Sequence, residues 1–399
     1  MIFARKKMRA IVSLVMGCMM MGSFCSCNFM GASSGSESAD STDSSNSATV
    51  FEDSTALMMT EFSDPVSLVP YEIELYLQAD PDQSVADFLT YGKARLDKGE
   101  PVCIEYSLDN PNRLKVLEEK VDISLTEDFS TIDQTLYFSS RQSQVEVYNL
   151  LTNTTYYYRV SVSLENGDVH TKWSSFETAP SLRFINLDGA CNVRDIGGWK
   201  TVDGKTIKQG LLYRGSEIDG GKESGYDFCL TEKGIAQLRS LGIKTDFDLR
   251  SESVKVDEYS ILGEDVARTF YNAAQYQDVL RSSNKETVRK IFSDLSKPEA
   301  YPVYLHCTHG VDRAGSTALV LESLLGVAEE DLIRDYELSA FYHQYTHVNR
   351  TYANGGVVAL IEGLKGFEGE TLAEKTENFL LSVGVTEAEI ASIRAIFLG

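Results

Sequence analysis

The residues of this 399-residue chain best suited to chemistry stand together: His306, Cys307 and, after five intervening residues, Arg313. The apolar run 300–306 (AYPVYLH) reads as a short strand, and 314–326 (AGSTALVLESLLG) reads as a helix. A cysteine between the two sits at a helix N-terminus, where the dipole and free N–H groups stabilise a thiolate. The backbone N–H groups of Thr308, His309, Gly310, Val311, Asp312 and Arg313 can curl around the oxygens of a tetrahedral oxyanion. Gly310 permits the tight curl, and Arg313 can hold two phosphate oxygens bidentately. A thiolate below phosphorus is then placed for in-line attack, giving a cysteinyl-phosphate that water hydrolyses. Cysteine and arginine at this spacing are a weak signal alone. The preceding histidine and strand, the glycine and the following helix set it apart from a buried cysteine in an ordinary turn.

The elements that must position these residues begin near Ser181. Residues 231–241 (TEKGIAQLRSL) read as a helix capped by Thr231 and stopped by Gly242, followed by a strand at 243–250 (IKTDFDLR). Residues 284–296, 329–344 and 371–383 are helical in pattern, and Thr386 with Glu389 forms a capping box for a last helix. Strands alternating with helices predict an α/β domain over 181–399. No cofactor is expected. His343 and His347 have the i, i+4 spacing of zinc ligands, but no glutamate follows His343 and no third ligand is apparent, so they read as surface or packing histidines.

Several blocks together resemble a bacterial family of tyrosine phosphatases that also includes phosphoinositide-active and dual-specificity members. HCTHGVDRAG (306–315) is similar to its HCxxGxDRTG loop, and NVRDIGG (192–198) to its NxRDxGG motif. DGKTIKQGLLYRGSEI (203–218), FDLRSES (247–253), LLGVAEEDLIRDYELS (324–339) and SVGVTEAEIASIRAIFL (382–398) match further segments. The resemblance implies Cys307 as nucleophile and Arg313 as phosphate clamp. It implies Asp248 as the first choice of general acid, with Asp312 as its rival; Asp312 otherwise ties the loop to a neighbouring arginine. Arg194, Asp195 and Arg214 either line the cleft or brace it. His309 either flanks the phosphate or lies exposed. Two positions depart from the family. Ala314 replaces the usual Ser or Thr, whose hydroxyl stabilises the leaving thiolate, with Ser316 or Thr317 as substitutes. Val311 stands where phosphoinositide-acting relatives carry Lys, which leans the substrate toward phosphotyrosine. Cys191 or Cys229 is a candidate for a protective disulfide with Cys307.

From about Pro65 to Pro180 the pattern is that of short strands, at 102–108, 120–125, 135–140 and, most clearly, Tyr156–Leu164, where apolar and polar residues alternate over nine positions. Asn166-Gly167 predicts a hairpin with both central residues at positive φ. Residues 149–180 resemble the final strands of a fibronectin type III domain, which implies that the Tyr156 hydroxyl bonds back to the upstream backbone. Such sandwiches are mostly spacers or binding modules for protein or carbohydrate. The expected fold is therefore multidomain: an all-β, fibronectin type III-like sandwich over 65–180, then the α/β Cys-x5-Arg phosphatase domain.

Arg5, Lys6, Lys7 and Arg9 precede the uncharged run 10–24, as in an export signal over 1–26. Ser26-Cys27 resembles a bacterial lipoprotein site, which implies that Cys27 is lipidated and that the protein is anchored at the cell surface; plain cleavage nearby or an uncleaved anchor are the alternatives. Residues 33–49 hold eight serines, three acids and no base, too polar to bury a core, so 27–64 reads as a tether. The net charge of −22 disfavours nucleic acid and anionic lipid, and seven scattered cysteines do not make a disulfide scaffold. The leading expectation is a cysteine-dependent phosphatase acting on phosphotyrosine. A weak or dead phosphate-binding or adhesion lipoprotein, and a phosphoinositide or small-ester phosphatase, are its competitors.

Overall fold

A computed structural model describes residues 53–89, 96–138, 144–220, 228–251, 258–342 and 348–399. The signal segment, Cys27, most of the tether, His343 and His347 lie outside them. Among the described residues no helix is long and apolar enough to cross a membrane.

Seven strands build the N-terminal part: β1 (Leu57–Met59), β2 (Val102–Leu108), β3 (Val116–Ser124), β4 (Gln134–Tyr137), β5 (Gln144–Val147), β6 (Thr155–Leu164) and β7 (Val169–Glu177). They form two antiparallel sheets, ordered β1-β2-β5 and β4-β3-β6-β7. The alternation read in the sequence is the burial pattern of β6: Tyr156, Tyr158, Val160, Val162 and Leu164 are buried and face Val121, Ile123 and Phe176 in one core. The Tyr156 hydroxyl accepts the Leu151 N–H at 2.9 Å, five residues upstream. The β6–β7 turn differs from expectation. Only Gly167 has positive φ (92°), and Leu164 N–H reaches Asp168 O, so the loop is longer than a two-residue hairpin.

The α/β part is a five-stranded sheet ordered β11-β10-β12-β9-β8, with β8 at Arg194–Asp195, β9 at Leu212–Gly215, β10 at Thr245–Asp248, β11 at Ala267–Phe270 and β12 at Val303–His306. The four longer strands are parallel, and Gly215, His306, Asp248 and Phe270 stand level at their C-terminal ends. The helices are α1 (Tyr71–Gln78), α2 (Glu232–Ser240), α3 (Lys285–Leu295), α4 (Asp312–Leu325), α5 (Glu329–Glu337), α6 (Tyr352–Lys365), α7 (Leu372–Val383) and α8 (Glu387–Leu398). Thr231 caps α2 through Gly234 N–H, and Thr371 and Thr386 close capping boxes on α7 and α8. α4 is buried from Ala314 to Leu325, as suits a helix apolar on nearly every side.

Two expected boundaries move. β1 lies inside 27–64, so the tether ends before Leu57. The segment between β1 and β2 also leaves the sandwich: Val69, Ile73, Tyr76, Val85 and Leu89 are buried in the α/β core with Phe184 and Phe341. α1 is too short to stand alone, and its apolar residues find a surface to cover only on the α/β part.

Candidate active site

Cys307 follows β12 directly, at the level where parallel strands end and a doubly wound sheet binds ligands. Its side chain is buried. Residues 307–311 then curl into α4. Gly310 adopts φ 72°, and a Cβ there would lie 2.5 Å from the Gly215 carbonyl carbon, so both left-handed geometry and close approach demand glycine.

What shapes the curl is a shell of donors on its outer side. Thr308 O accepts the Glu217 N–H at 3.1 Å, His309 O accepts Asn192 Nδ2 at 3.2 Å, and Gly310 O accepts Arg214 Nη2 at 2.9 Å. Val311 O accepts the Gly315 N–H at 3.0 Å. In a trans peptide the carbonyl and the following N–H point opposite ways. The N–H groups of residues 309–312 are therefore turned away from these anchors, into the curl.

The anchors are themselves fixed. Arg194 and Arg214, both fully buried, converge on Asp335 of α5. Arg194 Nε donates to Asp335 Oδ1 at 3.0 Å, and Arg214 Nη1 donates to Oδ2. Arg194 Nη1 donates to Asn192 Oδ1 at 2.7 Å. A Cβ on Gly315 would sit 2.7 Å from Arg214 Nη2, so this helical glycine is the gap through which Arg214 reaches the loop. Arg194 and Arg214 are thus braces and not cleft lining. So is Asp195, which accepts from Gly197 N–H at 2.8 Å and Gly210 N–H at 2.6 Å and pairs with Arg183 at 3.3 Å. Arg313 differs from them: it is half-buried at the start of α4 and, among the described residues, pairs with no carboxylate.

Asp248 is not where a general acid should be. Its carboxylate is fully buried at the end of β10, bonded to Arg250 Nε at 2.9 Å, Arg250 Nη2 at 2.7 Å and Arg268 Nη2 at 2.7 Å. Burial alone would raise its pKa, but His306, Arg250 and Arg268 outweigh burial and hold it well below the carboxylate range. An acid must carry its proton at working pH, and these ion pairs favour the carboxylate instead. It is one member of a buried network with Asp246, Asp219 and Glu217, in which His306 Nε2 meets Asp246 Oδ1 at 2.9 Å. Burial opposes the imidazolium, yet Asp248 and Asp246 prevail and raise the His306 pKa. A depressed carboxylate stabilises the fold above its unfolded pKa of about 3.9 and loses that contribution as pH falls toward the folded value. In urea unfolding, the stability gap between wild type and Asp248→Asn should narrow as pH falls below about 4. A gap that stays constant down to pH 2.5 would count against this pairing.

Asp312 is half-buried at the first position of α4, and its Oδ1 accepts a hydrogen bond from the Tyr276 hydroxyl. Tyr276 is joined in turn to the Tyr336 hydroxyl at 2.7 Å. Asp312 therefore ties to tyrosine, not to an arginine. His309 is not loose: its Nδ1 meets the Tyr342 hydroxyl at 2.8 Å and its ring packs edge-on against Phe228. Ser316 is a poor substitute for a hydroxyl at 314, because its Oγ donates to Asp312 O at 2.7 Å and accepts Tyr276 N–H at 2.7 Å. Among the described residues no disulfide joins Cys191 or Cys229 to Cys307. Sequence reasoning did not single out Asn192, Asp335, Tyr276 or Gly315. Asn192, Gly315 and Asp335 stand inside motif-like blocks, and that was their only signal.

A buried cysteine after a central parallel strand, a loop whose carbonyls from Thr308 to Val311 are hydrogen-bonded, and an arginine that pairs with no carboxylate among the described residues stand together at the C-terminal end of the sheet. The chain belongs to the tyrosine phosphatase family, whose model matches residues 185–399. Among curated proteins it is 28% identical over 176 residues to one of Cupriavidus necator provisionally named a tyrosine-protein phosphatase, covering 38% of this chain and 61% of that protein. It is 24% identical over 134 residues to a tyrosine-protein phosphatase of Nostoc commune, covering 28% of this chain and 46% of that protein. The chain thus spans about half to three-fifths of the length of these relatives.

Proposed function

We propose that the protein hydrolyses phosphate monoesters, foremost protein phosphotyrosine, through a cysteinyl-phosphate. One observation carries the reading: the carbonyls of Thr308, His309, Gly310 and Val311 are all bonded outward, which leaves the amides beside Cys307 for an oxyanion. The Cys307 thiolate attacks phosphorus in line, and the bond from phosphorus to the ester oxygen breaks. Arg313 and the loop amides hold the equatorial oxygens. Asp312 gives its proton to the departing oxygen, then takes one from the water that displaces phosphate from sulfur. Tyr276 holds Asp312 in position. The products are the free phenol and inorganic phosphate, with thiolate restored. The mechanism calls on no metal.

The test is turnover by the full-length chain, purified in detergent, on phosphotyrosine peptides against inositol phosphates, followed by aryl phosphates of graded leaving-group pKa. A fragment starting at residue 181 is unsuitable, because Ile73, Tyr76 and Val85 belong to the same core. Asp312→Asn should slow poor leaving groups by about 10²-fold or more and good ones far less. Asp248→Asn should cost stability and leave that dependence unchanged. The reverse pattern would restore Asp248 as the acid, and turnover on none of the substrates would sink the proposal.

A second reading has its own observation. Ala314 carries no hydroxyl for the leaving thiolate and Ser316 is already committed, which favours a slow second step. A burst of phenol followed by a stalled phosphoenzyme would favour a phosphate-binding protein over a turning-over enzyme. We also propose that Cys27 carries a lipid, that 28–52 tethers the domains at the cell surface, and that the β-sandwich is a fibronectin type III-like spacer or binding module. Cys27→Ala should then move the protein from the membrane to the soluble fraction; unchanged partitioning would argue against lipidation.

A further inference from the structure

The excursion between β1 and β2 does more than fill space. Leu96 N–H donates to Phe341 O at 3.1 Å, the Tyr76 hydroxyl donates to Glu337 Oε2 at 2.6 Å, and Arg334 Nη2 donates to Ala79 O at 2.5 Å. A Cβ on Gly99 would lie 2.5 Å from Phe184 O, so the returning chain runs hard against the α/β part. At the centre of this contact Asp97, 1% exposed, accepts the Asn192 backbone N–H on Oδ2 at 2.6 Å. Asn192 is held at φ 54°, a left-handed conformation that needs fixing. From there its side chain spans Arg194, Ser339 and the His309 carbonyl.

We infer that Asp97 is a positioning residue of the phosphate loop, acting through Asn192, so that the N-terminal part of the chain completes a site whose reacting groups all come from the C-terminal part. The inference rests on reading 307–313 as the reacting loop. A carboxylate accepting a buried N–H is a strong, charge-assisted bond. Removing the acceptor strands that N–H and frees Asn192 to rotate out of the geometry in which Nδ2 meets His309 O. The loop would then lose one of its outward anchors, and its amides would open more often.

Hydrogen exchange on the full-length chain without ligand tests this. Asp97→Ala should raise exchange in peptides covering 307–313 by about tenfold, while Asp97→Asn, which keeps an acceptor oxygen, should stay within about twofold of wild type. Tyr76→Phe removes the bond to Glu337 in the same contact without touching Asn192, so it should lower Tm and leave loop exchange unchanged. Loop exchange in Asp97→Ala within twofold of wild type, or raised equally by Tyr76→Phe, would overturn the inference. Should Asp97→Ala not fold, Asp97→Ser, an acceptor too short to reach, takes its place with the same two outcomes. Turnover of p-nitrophenyl phosphate is followed separately. Its absence in wild type speaks against the phosphatase reading, while the exchange comparison still decides the role of Asp97.

Discussion

Replacing Cys307 by serine should lower turnover of aryl phosphates by about 10⁴-fold or more, while inorganic phosphate still binds. The two halves of this expectation have separate physical sources. Attack needs a polarisable anion at the end of β12. A serine hydroxyl there would hold its proton, because among the described residues no basic side chain is hydrogen-bonded to position 307: the nearby imidazole, His306, meets Asp246 through Nε2 and bonds nothing at Nδ1. Binding needs the loop amides and Arg313, and neither depends on sulfur. The carbonyls of residues 308–311 would stay engaged by Glu217, Asn192, Arg214 and Gly315. Initial rates with p-nitrophenyl phosphate and calorimetric titration with inorganic phosphate read the two separately. Retained turnover would remove Cys307 from the mechanism. Lost phosphate affinity with intact folding would mean that the thiolate and not the amide cradle organises the site.

How much of this was legible in the sequence follows from the range of the interactions involved. The loop was, because strand, cysteine, glycine, arginine and helix are contiguous over 303–325 and each residue type has a local reason to be there. The β6 alternation and the threonine caps of α2 and α8 were legible on the same ground. Asp248 was misread because its position at a strand end is a local fact, while its neutralisation is not: Arg268 is twenty residues away and arrives only when β11 pairs with β10. Asp97 was invisible for the same reason, lying 95 residues from the N–H it accepts. The excursion passed as part of the sandwich because α1 has only eight residues, and nothing in them says which core they cover. α6 was missed because Gly355 and Gly356, near its start, speak against a helix.

The largest loss of stability is expected from Asp335→Ala, about 3–5 kcal/mol by denaturant unfolding. Asp335 is fully buried. Burial alone would raise its pKa, but Arg194 and Arg214 outweigh burial and lower it, so it is the carboxylate that permits two guanidinium groups in the interior. Without it, Arg194 keeps Asn192 and Ser339, and Arg214 keeps the Gly310 and Val311 carbonyls, but neither keeps a counter-charge there. The core offers one fallback. Glu322 on α4 is buried without a hydrogen-bond partner among the described residues, and burial followed by repulsion from Asp335 pushes its pKa well up, which favours its neutral form. Removing Asp335 removes the repulsion and leaves the attraction of both arginines, which draws Glu322 toward ionisation. The single substitution should therefore fall at the lower end of the range, and Asp335→Ala with Glu322→Gln should cost more than the sum of the two alone. Urea midpoints at constant slope for the four proteins measure this coupling. Strict additivity would mean that Glu322 stays neutral and that the arginines are left to the loop carbonyls alone.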